Sequence, residues 1–259
     1  MATSDSDPVA GVRKYYCTVL ISMQMEPHAE KWLIKARTRA EQGMLDRAVS
    51  EELFDHTWMA SIYQLQKNLR IADGQKLLDA GCGWGRLIFG IKYFHRSVTI
   101  DGYELTAEFA NKAREILEHA GLHEGVRIIE GDLLGVTIPE GHYDSFYSSR
   151  VLHYIDRKEV VLEKLYACLK QHGIGMVILP NRWCPYRWLT YRHAPLYPIT
   201  CVGQMMECIG FKNVYYGGYG FIPALKRFAY DSMVAGIERY LSATRFRKFG
   251  GLAYVVGQK

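Results

Sequence analysis

No apolar run in these 259 residues reaches the ~20 positions that a membrane-spanning helix needs. The stretch 17–25 is too short, and nothing later is long enough. Cysteine is sparse and scattered. Cys17, Cys82, Cys168, Cys184, Cys201 and Cys208 form no Cys-x-x-Cys pair, which speaks against a zinc or dithiol redox site. Reduced thiols in a cytosol-like setting, and hence a cytoplasmic location, are the simplest reading. Lys/Arg runs, RNA-binding signatures, internal repeats and low-complexity tracts are all absent. The net charge of +5 permits anionic partners without demanding nucleic acid, so none is expected. The opening Met-Ala-Thr-Ser-Asp-Ser-Asp is polar and acidic, unlike a secretory leader.

What is present is an ordinary globular composition, 49% hydrophobic and 23% charged, organised around one stretch. Lys76-Leu-Leu-Asp-Ala reads as a short buried strand. Gly81, Gly83 and Gly85 follow at every second position, and Leu87, Ile88, Ile91 and Phe94 then take up helical spacing. A strand, a glycine turn and a helix start make a ligand cradle. Glycine admits close backbone approach and positive φ, and the helix N-terminus offers free N–H groups.

Before this stretch, residues 1–70 read as an N-terminal helical extension. Pro27 starts one helix, and a second over about 45–70 carries Leu53, Phe54, Trp58, Ile62 and Leu65 on one face. The extension packs on the sheet or forms a lid over the ligand. Residues 71–259 form the main domain. Strands are expected at 76–80, 97–104, 126–132, 143–151, 174–180, 211–219 and 252–257. Helices are expected at 106–120, 156–171, 200–209 and 224–241. Apolar strands alternating with helices imply an α/β fold: a doubly wound, seven-stranded, mostly parallel sheet covered on both faces. Residues 182–200 form an aromatic and basic segment, and 221–250 a helical insert before the last strand. The helix 224–241 is amphipathic. Core packing is its default role, and peripheral membrane or lipid contact the minority one.

In a doubly wound sheet, ligands bind past the carboxyl ends of the strands. Asp79, Gly81, Gly83 and Gly85 end the first strand. Glu104 ends the second, about twenty residues on, where an acid can hold both hydroxyls of a ribose. Asp132 follows the third, able to accept from an adenine amino group while Leu133 packs on the ring. Ser148, Ser149, Arg150 and His153 follow the fourth. Each alone is commonplace; the succession is what carries weight.

These motifs resemble the class I S-adenosylmethionine-dependent methyltransferases, of the small-molecule type. Leu77-Leu-Asp-Ala-Gly-Cys-Gly-Trp-Gly85 is similar to the family's first motif, Asp/Glu-x-Gly-x-Gly-x-Gly. Gly102-Tyr-Glu-Leu-Thr106 resembles its second, Glu130-Gly-Asp-Leu133 its adenine motif, and 143–154 its fourth-strand motif. The resemblance covers 75–180 well, 200–259 loosely and the N-terminal extension hardly at all. It implies a Rossmann-like fold and S-adenosyl-L-methionine as cofactor, held by Asp79, Gly81, Gly83, Gly85, Glu104, Leu105, Asp132, Leu133 and Ser148. It also implies transfer of a methyl group to a small organic acceptor. The family's metal-dependent members carry an Asp-Asn pair after the fifth strand; Pro180-Asn181 departs from it, so no metal is expected. The roughly thirty residues between the last two strands depart from the hairpin common in the family, so substrates do not transfer from simpler members.

A sulfonium donor calls for positioning and an aromatic, water-poor pocket. Candidate substrate-side residues are Tyr15, Tyr16, Arg150, Trp183, Tyr186, Trp188 and Tyr191. The bland role of each aromatic is core packing, and that of Arg150 a solvated surface charge. His153 is the first candidate for a general base and His193 the second, because imidazole titrates near neutrality. A locally bonded histidine is the plain alternative for His153. Gly-Cys-Gly-Trp-Gly also suggests a C-methyltransferase or cyclopropane-synthase-like lipid enzyme, but the glutamine associated with that second motif is missing. An NAD(P)-dependent oxidoreductase is the other enzymatic alternative. Glycines spaced by two do not fit its fingerprint, and Tyr154-Ile-Asp-Arg-Lys158 falls too soon after the glycine turn. A non-catalytic cofactor-binding protein is the third reading.

Overall fold

Successive residues of a strand point to opposite faces, so the nearly continuous apolar strands within 76–180 supply both faces of one sheet. The structure, a computed structural model, describes residues 56–186, 196–221 and 232–259. In chain order they form α1 (His56–Leu69), β1 (Lys76–Ala80), α2 (Arg86–Phe94), β2 (Thr99–Glu104), α3 (Ala107–His119) and β3 (Val126–Glu130). There follow β4 (Tyr143–Ser149), a 3-10 turn Leu152–Tyr154, α4 (Lys158–Cys168), β5 (Leu169–Pro180) and α5 (Ile199–Ile209). The chain closes with β6 (Lys212–Tyr219), α6 (Ser232–Ala243), a 3-10 turn Arg245–Phe249 and β7 (Leu252–Gln258).

The seven strands are ordered β3-β2-β1-β4-β5-β7-β6. The first five are parallel, and β7 runs antiparallel to both β5 and β6. The chain winds outward from β1 to β3, then returns to β4 on the other side of β1. That reversal puts a crevice at the carboxyl ends of β1 and β4. Neighbours in sequence face opposite layers. Leu77, Tyr147 and Met176 join Trp58, Ile62, Leu65, Ile88 and Ile91 on one side. Leu78, Phe146 and Val177 join Leu162, Leu165, Val202 and Met206 on the other.

The described part of the N-terminal extension, α1, belongs to the first of these layers. Trp58 is fully buried, and its indole N–H donates to the Arg86 carbonyl at 2.8 Å. Gly90 on α2 allows this approach, since a methyl there would lie 2.3 Å from Ile62. Tyr219 and Tyr215 of β6 bond Ser61 and Asn68 across the same helix.

Several boundaries differ from expectation by about two residues or more, and two of them have consequences. β3 ends at Glu130, which leaves Asp132 in the following loop. β5 begins at Leu169, inside the stretch expected to be helix. The β4–β5 register jumps from Tyr143↔Leu169 to Ser145↔Ile174, and this bulge absorbs the exposed Lys170, Gln171 and His172. Cys82, Cys168, Cys184 and Cys201 take part in no disulfide. No helix among the described residues is long and apolar enough to cross a membrane.

Candidate active site

Tyr103, the penultimate residue of β2, fixes the glycine turn. Its carbonyl accepts from Gly81 N at 2.9 Å and Cys82 N at 2.8 Å. Gly81, Gly83 and Gly85 have φ of 90°, 57° and 80°, so the turn is left-handed three times over. A Cβ at Gly83 would meet nothing within 4 Å. The turn is open on that side, as a cradle for a ligand must be. Gly85 passes directly into α2, whose first carbonyl is the one held by Trp58.

Glu104 is 7% exposed and is shared between two segments. One carboxylate oxygen accepts from Gly83 N at 2.8 Å. The other accepts from Thr106 N at 3.1 Å and Thr106 Oγ1 at 3.0 Å. Its backbone carbonyl takes Gly131 N at 2.8 Å, which brings the loop after β3 alongside. In that loop Asp132 is exposed and accepts from Leu134 N at 2.9 Å, while Leu133 is buried. Lys164 on α4 donates to the carbonyls of Leu133, Leu134 and Val136 at 3.2, 2.6 and 3.0 Å, which pins the loop from below. Leu105, beside Glu104, is exposed.

Asp79 is paired in register with Gly102 and Tyr147. Burial pushes its carboxyl well above the usual carboxylate range; Tyr147 eases it down and the charge of Glu104 adds to the rise. Burial also raises the Cys82 thiol, with Asp79 and Glu104 contributing. Ser148 is buried and its hydroxyl donates to the Ala80 carbonyl at 2.9 Å, tying β4 to β1. Arg150 follows β4 at φ 60°, a left-handed position rare for arginine. His153 lies in the 3-10 turn after it, 2% exposed, with its ring centroid 3.9 Å from that of Tyr154.

The structure therefore brings Asp79, Gly81, Gly83, Gly85 and Glu104 together, with the Asp132–Leu133 loop joined to Glu104. The aromatic segment divides. Tyr197 is buried with Lys158 Nζ 4.7 Å from its ring centroid, whereas Trp183 is 66% exposed. Tyr186 lines an apolar groove with Phe221, Leu241, Phe246 and Phe249. Tyr15, Tyr16, Trp188, Tyr191 and His193 lie outside the described residues. Sequence reasoning passed over Lys164 and Tyr147, and gave Thr106 a place in the second motif but no role of its own. Thr106 carried a signal, two positions after the acid. The other two act through contacts distant in sequence.

A sheet that reverses beside β1, a left-handed glycine turn and an acid clamped to that turn define a protein of the class I methyltransferase fold. Residues 77–173 match the family model described as a methyltransferase domain. The chain is similar to a sterol 24-C-methyltransferase of Pneumocystis carinii, 24% identical over 55% of this chain and 36% of that one. A possible histamine N-methyltransferase from Thermotoga maritima aligns with a TM-score of 0.60 at 16% identity, over 88% of this chain and 99% of that one. The phosphoethanolamine N-methyltransferase 2 of Haemonchus contortus, in complex with phosphomonomethylethanolamine and S-adenosylhomocysteine, aligns with a TM-score of 0.58 at 15% identity. That alignment covers 78% of this chain and 52% of that one. Residues 77–173 thus match a methyltransferase domain, and the described part of the chain has the fold of the S-adenosylmethionine-dependent methyltransferases that it aligns with. The chain spans less than half the length of the curated relatives it matches.

Proposed function

We propose that this protein transfers the methyl group of S-adenosylmethionine to oxygen or nitrogen of a small organic acceptor, of natural-product or lipid-linked type. The observation that carries the reading is the Glu104 carboxylate, held by the turn residue Gly83 and by Thr106. An acid fixed in this way at the end of β2 is preorganised to accept from ribose hydroxyls. The open side of Gly83 leaves room for the ligand backbone, and the Asp132–Leu133 loop supplies an acceptor and an apolar wall for the adenine.

When bound, the cofactor supplies a methyl group on a positively charged sulfur, open to in-line displacement. The chain's own residues do the rest by placement, since near-attack geometry can take about 7–11 kcal/mol off the barrier. Gly81, Gly83 and Gly85 let the backbone come close. Glu104 and Asp132 fix the orientation of the nucleoside, and Leu133 excludes water from its face. We assign His153 as the base that takes the proton from a hydroxyl acceptor, and Arg150 as the charge that meets an anionic one. Carbon methylation is the second reading, favoured by the similarity to a sterol 24-C-methyltransferase.

The test is calorimetry with S-adenosylhomocysteine and with NAD, followed by release of S-adenosylhomocysteine from S-adenosylmethionine over a panel of acceptors. Binding of S-adenosylhomocysteine and its acceptor-dependent release support the reading. Preference for NAD refutes it, and tight binding with no release across the panel leaves a cofactor-binding protein in its place.

A further inference from the structure

Beyond the cofactor crevice, the carboxyl edge of the sheet continues over β5, β7 and β6, where Pro180 and Tyr219 both pair with Leu252. Two surface segments meet there. One is the turn after β5, with Arg182 and Trp183 exposed. The other is the 3-10 turn before β7, in which Arg245, Phe246, Arg247, Lys248 and Phe249 are all exposed, Phe246 by 58%. Asn181, 4% exposed, fastens one to the other. Its amide donates to the carbonyls of Lys248 at 2.9 Å and Gly250 at 2.7 Å, and its carbonyl oxygen accepts from Trp183 N at 3.1 Å. Beneath them an apolar groove of about 400 Å³ is lined by Pro185, Tyr186, Phe221, Leu241, Phe246 and Phe249.

The described segments that form this face carry charge of one sign. No Asp or Glu occurs from residue 182 to 206 or from 239 to 259. Glu238, the nearest acid in sequence to the 3-10 turn, is buried and accepts from Gly220 N and Phe221 N. The ion pairs among the described residues lie elsewhere. Arg182 sits 5.3 Å from the Trp183 ring and Lys248 4.9 Å from the Phe249 ring, so each cation travels with an aromatic. Exposed aromatics alternating with cations over an apolar groove match a bilayer interface. The rings settle at headgroup depth and the cations meet anionic phosphates.

We propose that this face docks the protein on an anionic lipid bilayer, with Trp183 and Phe246 inserted and Arg182, Arg245, Arg247 and Lys248 on the headgroups. It lies on the same edge of the sheet as the crevice, roughly 14 Å along from β1 at ordinary strand spacing. Docking does not require methyl transfer, so the two readings fail separately.

The full chain should sediment with phosphatidylcholine vesicles containing about a third phosphatidylserine, and release as salt rises. Partition into pure phosphatidylcholine should be far weaker. Each cation on such a surface is worth about fivefold, so the triple variant R245Q/R247Q/K248Q should partition roughly a hundredfold less well. W183A/F246A should weaken binding at every salt concentration. All these residues are exposed, and unchanged melting temperature and S-adenosylhomocysteine affinity will show that the variants are folded. Equal partition into neutral vesicles, indifference to both variants, or retention on heparin without vesicle binding would overturn the proposal. Vesicle binding by a protein that takes no S-adenosylhomocysteine would instead sink the methyl-transfer reading and leave this one standing.

Discussion

Replacing Glu104 by glutamine tests the site at its joint. The wild-type carboxylate takes three hydrogen bonds, from Gly83 N at 2.8 Å and from Thr106 N and Oγ1 at 3.1 and 3.0 Å. Glutamine keeps the shape but has one acceptor oxygen. Its amide nitrogen must then face an N–H on one side or the other, and the charge that a ribose would meet is gone. A hydrogen bond to a charged group contributes about 1.5–3 kcal/mol, so affinity for S-adenosylhomocysteine should fall roughly ten- to hundredfold. The assay is titration calorimetry, with the melting temperature of the ligand-free variant measured alongside. A modest loss of stability is expected as well, because the turn loses part of its clamp. A variant with wild-type affinity would remove Glu104 from the binding site and take the central argument with it.

Gly83→Ala should fold, since its methyl enters open space, at a cost of about 1–2 kcal/mol for a left-handed alanine. Its cofactor affinity should fall by more than that stability loss accounts for, read by calorimetry against thermal melts. His153→Ala should lower kcat by two orders of magnitude or so for a hydroxyl acceptor, with S-adenosylhomocysteine affinity spared; unchanged turnover would place the base elsewhere or nowhere. Asp101 gives a pH prediction. Burial raises its carboxyl, but the hydrogen bonds from Arg127 and Tyr143 and the charges of Arg127 and Lys76 outweigh that and hold it below its ordinary value. Its contribution is therefore present above the ordinary carboxylate pKa and is lost as pH falls through the depressed native value. Asp101→Asn should flatten the acid limb of the stability–pH curve; an unaltered limb would show that the cluster does not report on folding.

The glycine turn and the acid clamped to it were legible in the sequence because their signals are local. An apolar strand, glycines at alternate positions and an acid near the end of the next strand each sit within a few residues of the chemistry they serve. What could not be read depends on pairing across the chain. Lys170, Gln171 and His172 look like the polar end of a helix, and only the bulge against β4 makes them strand. Trp58, Ile62 and Leu65 announced an apolar face on α1 but not the surface it would cover. Asn181 stood out only as the half that remains of an incomplete Asp-Asn metal motif. Its real partners, Lys248 and Gly250, come nearly seventy residues later. Residues 187–195 of the aromatic segment read as the acceptor pocket lie outside the described residues, and of the rest Tyr197 turned inward and Trp183 outward.

The indole of Trp58 bears on how the molecule can be cut. A fragment trimmed to the matched stretch 77–173 would retain every glycine and acid of the motifs. It would lack the buried donor that holds the opening carbonyl of α2, and Gly90 would face a groove with nothing in it. The portion that looks like an appendage in the linear chain is thus a buttress of the helix that leaves the glycine turn.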